Sequence, residues 1–253
     1  MDHDKLLNIA VEMGCQLMAS GAEIYRVEES MERLLLAYDL PTAEVFAIPN
    51  CIIASVNTPE GHPITRMRRI ASHGTDIELL ERCNDLCRHL CAELPPLEEA
   101  EALVMGLSQC PRRHAPWQVL VGHAIAAAFF APLFGGGVLD TLGALLGGLG
   151  VGICLLYGKR LIGSNTFFRT VICSAIASLL SLFLVRIGLG RSLDTVTISV
   201  LMLLVPGVAL TNAMREIMAG DVVSGLSRTA DAILVAAAIA LGSAVGLGIA
   251  QLF

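Results

Sequence analysis

The chemistry-bearing residues of this chain gather in one stretch, LMLLVPGVALTNAMREIMAGDVVSGLSRTADAIL (201–234). Pro206 lacks an N–H and Gly207 resists helix, so an apolar helix over Val196–Ala209 is expected to kink or unwind there. Unwound backbone inside an apolar span frees carbonyls and half-helix ends, which can hold an ion or a small polar solute. Thr211, Asn212, Arg215 and Glu216 follow within about three turns, and Thr211 and Arg215, four apart, share a helix face. Asp221, Ser224, Arg228 and Asp231 then lead into the next apolar run. Guanidinium groups bind carboxylates in a bidentate way. Asn212 and Thr211 offer neutral hydrogen bonds, and Asp221 and Asp231 suit carrying a proton or anchoring the arginines. A proline kink followed by an ordinary charged loop explains the same string, and spacing alone does not choose.

Other groups invite similar weighing. His123 falls inside an apolar run, roughly 9 Å along a helix from Trp117. An imidazole at that depth suits proton coupling, or it is a neutral ring bonded to a helix. Near the N-terminus, Glu23, Arg26, Glu29 and Arg33 line one face of an amphipathic segment. A solvated salt-bridge ladder accounts for that row, and a docking or gating surface is the alternative. Arg66, Arg68 and Arg69 form a basic cluster that could meet lipid headgroups or nearby acids. Cys83, Cys87 and Cys91 recur every four residues, the spacing of a buried helix stripe rather than of a structural zinc site. Ser174, Ser178 and Ser181 share a face and read as helix packing before a pathway lining. No GxSxG, HExxH, Walker A or GxGxxG pattern occurs, so no catalytic residue, metal or cofactor is expected.

The elements that must position these groups follow from composition. The chain has 253 residues, 55% hydrophobic and only 16% charged, against about 25% in ordinary soluble domains. The charge is uneven. Residues 1–114 carry 18 Asp/Glu and 10 Lys/Arg, whereas residues 115–253 carry 5 and 7. That division predicts an acidic, cytoplasmic α+β domain over 1–114 and a transmembrane domain over 115–253. The acidic front excludes a nucleic-acid partner, which needs a basic face. MDHDKLLN is mixed in charge and resembles no secretory signal. In the front domain, helices are expected over 4–20, 22–38, 75–92 and 97–109, and strands over 43–48, 51–57 and 63–70. In the second, five transmembrane helices are expected: Trp117–Phe134, Leu139–Tyr157, Phe168–Val185, Val196–Ala209 broken at Pro206-Gly207, and Ala232–Phe253. Arg112, Arg113, Lys159, Arg160, Arg169, Arg215 and Arg228 on one side, against Arg186 and Arg191 on the other, predict a cytoplasmic N-terminus and a periplasmic C-terminus. Gly143/Gly147, Gly148/Gly152 and the series Ala238, Gly242, Gly246, Ala250 give small-residue stripes for close helix packing, within this chain or against another subunit.

SGAEIYRVEESMERL (20–34) together with LVPGVALTNAMREIMAGDVVSGLSRTADAIL (204–234) resembles the threonine/serine exporter family, and the likeness runs along nearly the whole chain. The resemblance implies a bacterial inner-membrane secondary transporter that exports small polar metabolites on the proton gradient. Long members carry about twice as many spans. Stopping after five is similar to the larger subunit of the family's split form, whose partner is a smaller four- to five-span membrane protein encoded nearby. The split form implies succinate as the small carboxylate, and the fused form implies threonine or serine. By the same resemblance, Pro206, Gly207, Thr211, Asn212, Arg215, Asp221 and Arg228 become the substrate-binding set, and Glu23, Tyr25, Arg26, Glu28 and Glu29 a gating or docking element. It adds nothing for His123, which with Asp231 stands as a proton-coupling candidate on residue chemistry. A hydrolytic front domain and a non-transporting assembly subunit are the rival expectations.

Overall fold

The computed structural model describes residues 2–40, 42–58, 61–70, 74–107, 114–161 and 165–250, without the side chains of residues 159–161 and 250. Arg112, Arg113, the side chains of Lys159 and Arg160, and the last three residues, used above, lie outside it. The chain forms two compact units, Met1–Pro111 with Val208–Thr229, and Arg112–Gly207 with Ala230–Phe253. The units do not follow a single cut at 114/115, because Val208–Thr229 belongs with the first.

In the first unit, α1 (His3–Ser20) begins where the Asp2 side chain accepts the Lys5 N–H at 3.0 Å. It ends at Gly21, whose φ of 95° lets its N–H reach the Leu17 and Met18 carbonyls. Next, α2 (Ile24–Ala37) buries Ile24, Val27, Met31, Leu34 and Leu35, which recur at helical spacing. Strands β1 (Ala43–Ile48), β2 (Cys51–Asn57) and β3 (Pro63–Arg69) form an antiparallel sheet in that order, with Phe46 opposite Ile53 and Ile53 opposite Met67. Helices α3 (Ile77–Glu93) and α4 (Leu97–Leu107) complete the front half. Leu6, Leu7, Met13, Leu17, Ile52 and Leu90 share one core with the α2 residues.

Two sequence alternatives resolve here. Arg66 binds the Asp4 carboxylate at 2.5 Å and Arg68 binds Glu12 at 2.7 Å, so two of the three basic residues meet acids of α1. Cys83 and Cys87 are buried in the core, where desolvation pushes both thiols up to about 12.

The second unit contains α5 (Pro116–Leu133), α6 (Val138–Leu161), α7 (Thr166–Arg186), α8 (Leu193–Leu201) and most of α10 (Val222–Ala250). The small-residue stripes are consumed by packing inside this unit. Gly148 lies under α5, where a methyl would come 2.8 Å from the His123 carbonyl. Gly242 and Gly246 let α10 approach α7, and a methyl at Gly246 would meet the Ala175 carbonyl at 2.7 Å. Ser178 and Ser181 turn their hydroxyls onto carbonyls of their own helix, at 3.1 and 2.8 Å, which supports packing over a pathway lining.

The expected five-span count needs correction. Among the described residues, four helices are long and apolar enough to cross a membrane: Pro116–Leu133, Val138–Gly158, Thr166–Arg186 and Val222–Ile249. The span expected over Val196–Ala209 is two separate helices, α8 and α9 (Gly207–Ala219), interrupted by the turn through Met202–Pro206. Pro206 and Gly207 break it as their chemistry dictates. With nine residues, α8 rises only about 14 Å, half of a bilayer's hydrocarbon core of about 30 Å. The last span also starts earlier than Ala232, because α10 continues back to Val222.

Candidate functional site

The site grows from a turn that α1 and α2 leave unfinished. After Gly21 the chain runs extended, and Glu23 occupies the N-cap of α2 without a side-chain capping bond. The carbonyls of Gly21 and Ala22 and the N–H of Ile24 therefore need outside partners. Polar residues of α9 and α10 supply them. Asn212 donates its amide to the Gly21 carbonyl at 3.4 Å. Arg228 donates Nη2 to the Ala22 carbonyl at 2.8 Å. The Ile24 N–H donates to Glu216 Oε1 at 3.3 Å. The Glu23 carboxylate, free of capping duty, binds Arg215 and lies 3.2 Å from Arg26 Nε.

Local sequence explains the convergence. Asn212 and Glu216 are four apart on α9, with Arg215 beside them, so one helix face carries all three. Gly220, at φ 103°, reverses the chain, and the Asp221 N–H closes the turn on the Glu216 carbonyl at 3.0 Å. Gly225 then lets α10 lie close on α9, bringing Arg228 level with Glu216.

The two arginines differ in setting. Arg215 keeps 51% of its side chain exposed, whereas Arg228 keeps 16% and faces a carboxylate that is wholly buried. Arg228 Nε stands 3.0 Å from Glu216 Oε1 as an ion pair, outside hydrogen-bond geometry, and Glu216 Oε2 has no hydrogen-bond partner. Burial pushes the Glu216 carboxyl up, against the opposing pull of Arg228 and the Ile24 N–H, and the Asp221 and Glu23 charges push the same way as burial. Glu28 accepts the Ala47 N–H at 2.7 Å, tying α2 to β1, and burial likewise raises its carboxyl.

The structure thus joins members of both expected sets: Asn212, Arg215 and Arg228 with Glu23 and Arg26. Pro206 sits in the α8–α9 turn, Gly207 opens α9, Thr211 is exposed on it, and Asp221 is half-buried after it. The Tyr25 hydroxyl accepts from Arg26 Nε at 3.2 Å, and Glu29 pairs with Arg33 at 2.6 Å, so the ladder reading holds for that step. Tyr25, Arg26 and Glu29 also line a cleft of about 670 Å³ between α2 and α3. His123 and Asp231 belong to the second unit. His123 Nδ1 lies 2.7 Å from the Val119 carbonyl one turn back, so that nitrogen carries the proton, and Asp231 is exposed on α10.

Two residues carry more than their sequence context suggested. Glu216 was visible only as one acid in a polar string, its spacing from Asn212 being the available signal. Asp140, a lone acid opening an apolar span, accepts the N–H groups of Gly137, Arg191 and Ser192 at 3.0, 2.6 and 2.9 Å and thereby fixes the α7–α8 loop on α6.

These features define a helical, multi-span membrane protein whose α+β unit is completed by a polar helical hairpin. The family description "Putative threonine/serine exporter" matches residues 8–250, and the chain belongs to the threonine/serine exporter family. A "Probable threonine/serine exporter" of Mycobacterium tuberculosis is 23% identical over 256 residues, covering 96% of this chain and 46% of that protein. The "Threonine/serine exporter" of Corynebacterium glutamicum is 25% identical, over 98% of this chain and 52% of that protein. The "Probable succinate transporter subunit YjjP" of Klebsiella aerogenes is 22% identical, over 92% of this chain and 90% of that protein. The chain spans about half the length of the two exporters it matches. No solved structure matches it.

Proposed function

We propose that this chain is one subunit of a bacterial inner-membrane secondary exporter of small carboxylates, working with a second, smaller membrane subunit. The observation that carries the reading is the polar cluster behind the Pro206-Gly207 break, where Arg215, Asn212 and Arg228 meet the turn at Glu23. A substrate carboxylate reaches Arg215 first, because that guanidinium is half-exposed, and it displaces Glu23 to bind. The excess of basic residues in the loops on one side supports a cytoplasmic N-terminus and a periplasmic C-terminus. A partner is supported by the half-length match to the two exporters and by the full-length match to a protein named as a subunit. The 1–114 and 115–253 division, as a cytoplasmic and a transmembrane part, belongs to the same proposal.

Succinate is the substrate that the resemblance to the split form implies, and one observation favours the amino-acid alternative. Arg215 and Arg228 each face a carboxylate, Glu23 and Glu216, and Glu23 also lies 3.2 Å from Arg26. A charge-balanced pair suits a zwitterion, carboxylate on arginine and ammonium on glutamate, whereas a dianion calls for surplus positive charge. Counterflow of radiolabelled threonine and succinate in proteoliposomes tests both, with this chain alone and with the smaller subunit. The expected outcome is flux only in the pair, with threonine ahead of succinate. Succinate ahead restores the dicarboxylate reading, flux from this chain alone removes the partner, and a folded pair with no flux overturns the transporter reading.

A further inference from the structure

We infer that Glu216 is the proton-binding carboxylate of the transport cycle, an inference that rests on the exporter reading above. An ionised carboxylate offers about four lone-pair sites and is costly to bury unless donors fill them. Glu216 has no exposed surface and one hydrogen bond, the Ile24 N–H at 3.3 Å. Its Oε2 faces no donor. Asp140 is the internal contrast, since it is nearly as buried yet collects three backbone N–H groups, the donor set of a permanently charged anchor. Glu216 is built with too few donors to hold its charge unaided.

The groups around it fit a proton rather than a fixed ion pair. From α10 comes Arg228, with Nε at 3.0 Å and its Nη2 committed to the Ala22 carbonyl. From the N-cap of α2 comes Glu23, and from the α9–α10 turn Asp221, both negative. On α9 itself Arg215 is turned to Glu23. The α1 side contributes the Met18 sulfur, 3.8 Å from Arg228, and no charge. Among the described residues, Glu216 thus meets one cation, already shared, and two carboxylates. When Glu216 takes up a proton, Arg228 loses its counter-charge and its field is open to a substrate carboxylate. When the proton leaves, the pair closes again. Proton and substrate occupancy are therefore linked through Arg228, and linkage is reciprocal.

The test uses the full chain in lipid with its smaller partner. Infrared difference spectra between acid and alkaline buffer are expected to show the carbonyl stretch of a protonated carboxylic acid, lost in Glu216→Gln and kept in Glu216→Asp. Glu216→Gln, the isostere of the protonated form, is expected to fold and to lose at least tenfold of the flux driven by a pH gradient. A band unchanged in Glu216→Gln, or undiminished gradient-driven flux, overturns the inference. So does a Glu216→Gln protein that unfolds at neutral pH while Glu216→Asp folds, because that marks a permanently ionised pair. If the wild type carries no flux at all, the exporter reading fails, while the infrared band still decides whether Glu216 holds a proton.

Discussion

Arg215 and Arg228 carry the same guanidinium and are expected to fail differently. Arg215 pairs with Glu23 while half-exposed, so Arg215→Ala removes an interaction of about 1 kcal/mol or less and leaves assembly intact. Counterflow in that variant is expected to vanish, and wild-type flux would remove Arg215 from the site. Arg228→Ala strands a buried carboxylate, a change that costs about 3–5 kcal/mol where the partner stays charged. Its unfolding midpoint is expected to drop most in alkaline buffer and least in acid, where Glu216 is neutral. The sign follows from the raised Glu216 carboxyl. Protonation stabilises the folded chain below the ordinary carboxylate range, and this contribution is lost as pH rises through the raised value. Glu216→Gln should flatten that slope, which for one proton is at most about 1.4 kcal/mol per pH unit. Melting curves across pH check both variants. At this scale Asn212, Arg215 and Arg228 were legible because polar groups stand out among apolar neighbours. Glu216's role was not, because its partners are a backbone N–H and an arginine facing backbone carbonyls, and backbone groups leave no mark in the sequence.

Elements were read more easily where turn chemistry punctuates them. Gly21 stops α1, Pro49-Asn50 separates β1 from β2, and Pro95-Pro96 precedes α4, and the front-domain boundaries follow these signals closely. The fourth apolar run was harder. Its hydropathy continues across Pro206, whereas the missing N–H divides it into α8 and α9. Pro206→Ala restores the N–H and frees Val205 to become helical. Slower amide exchange over 202–207 and reduced counterflow are the expected results, and unchanged exchange would show that Gly207 suffices for the break. Packing of α7 against α10 gives another check. Gly242 faces the Val171 carbonyl and Ser174, so Gly242→Val should destabilise by about 1–3 kcal/mol, read as a lower melting midpoint in detergent. On α3, Cys83 and Cys87 should resist maleimide in the folded chain and react on denaturation, since burial holds both as thiols.

At the scale of the molecule, the charge asymmetry announced two parts, but nothing in it marks Val208–Thr229 as belonging with the first. The amphipathic α9 explains it after the fact. Ala213 and Glu216 face inward, while Val208, Leu210, Met214 and Met218 stay at least 46% exposed. Exposed apolar surface of that kind needs lipid or a partner. Mixing the proposed smaller subunit with this chain is therefore expected to protect Met214 and Met218 from oxidation to sulfoxide, read by mass spectrometry. Equal oxidation with and without the partner would leave lipid as the cover. The discontinuous first unit also sets an order of birth. When residues 1–111 leave the ribosome, the carbonyls of Gly21 and Ala22 and the Ile24 N–H have no partners yet. Residues 112–207 are made in between, which at about 5–20 residues per second takes on the order of ten seconds. The α1–α2 turn must therefore wait, hydrated, until three apolar helices have entered the bilayer, and a nascent chain stalled before Val208 would display an unfinished domain to chaperones and proteases.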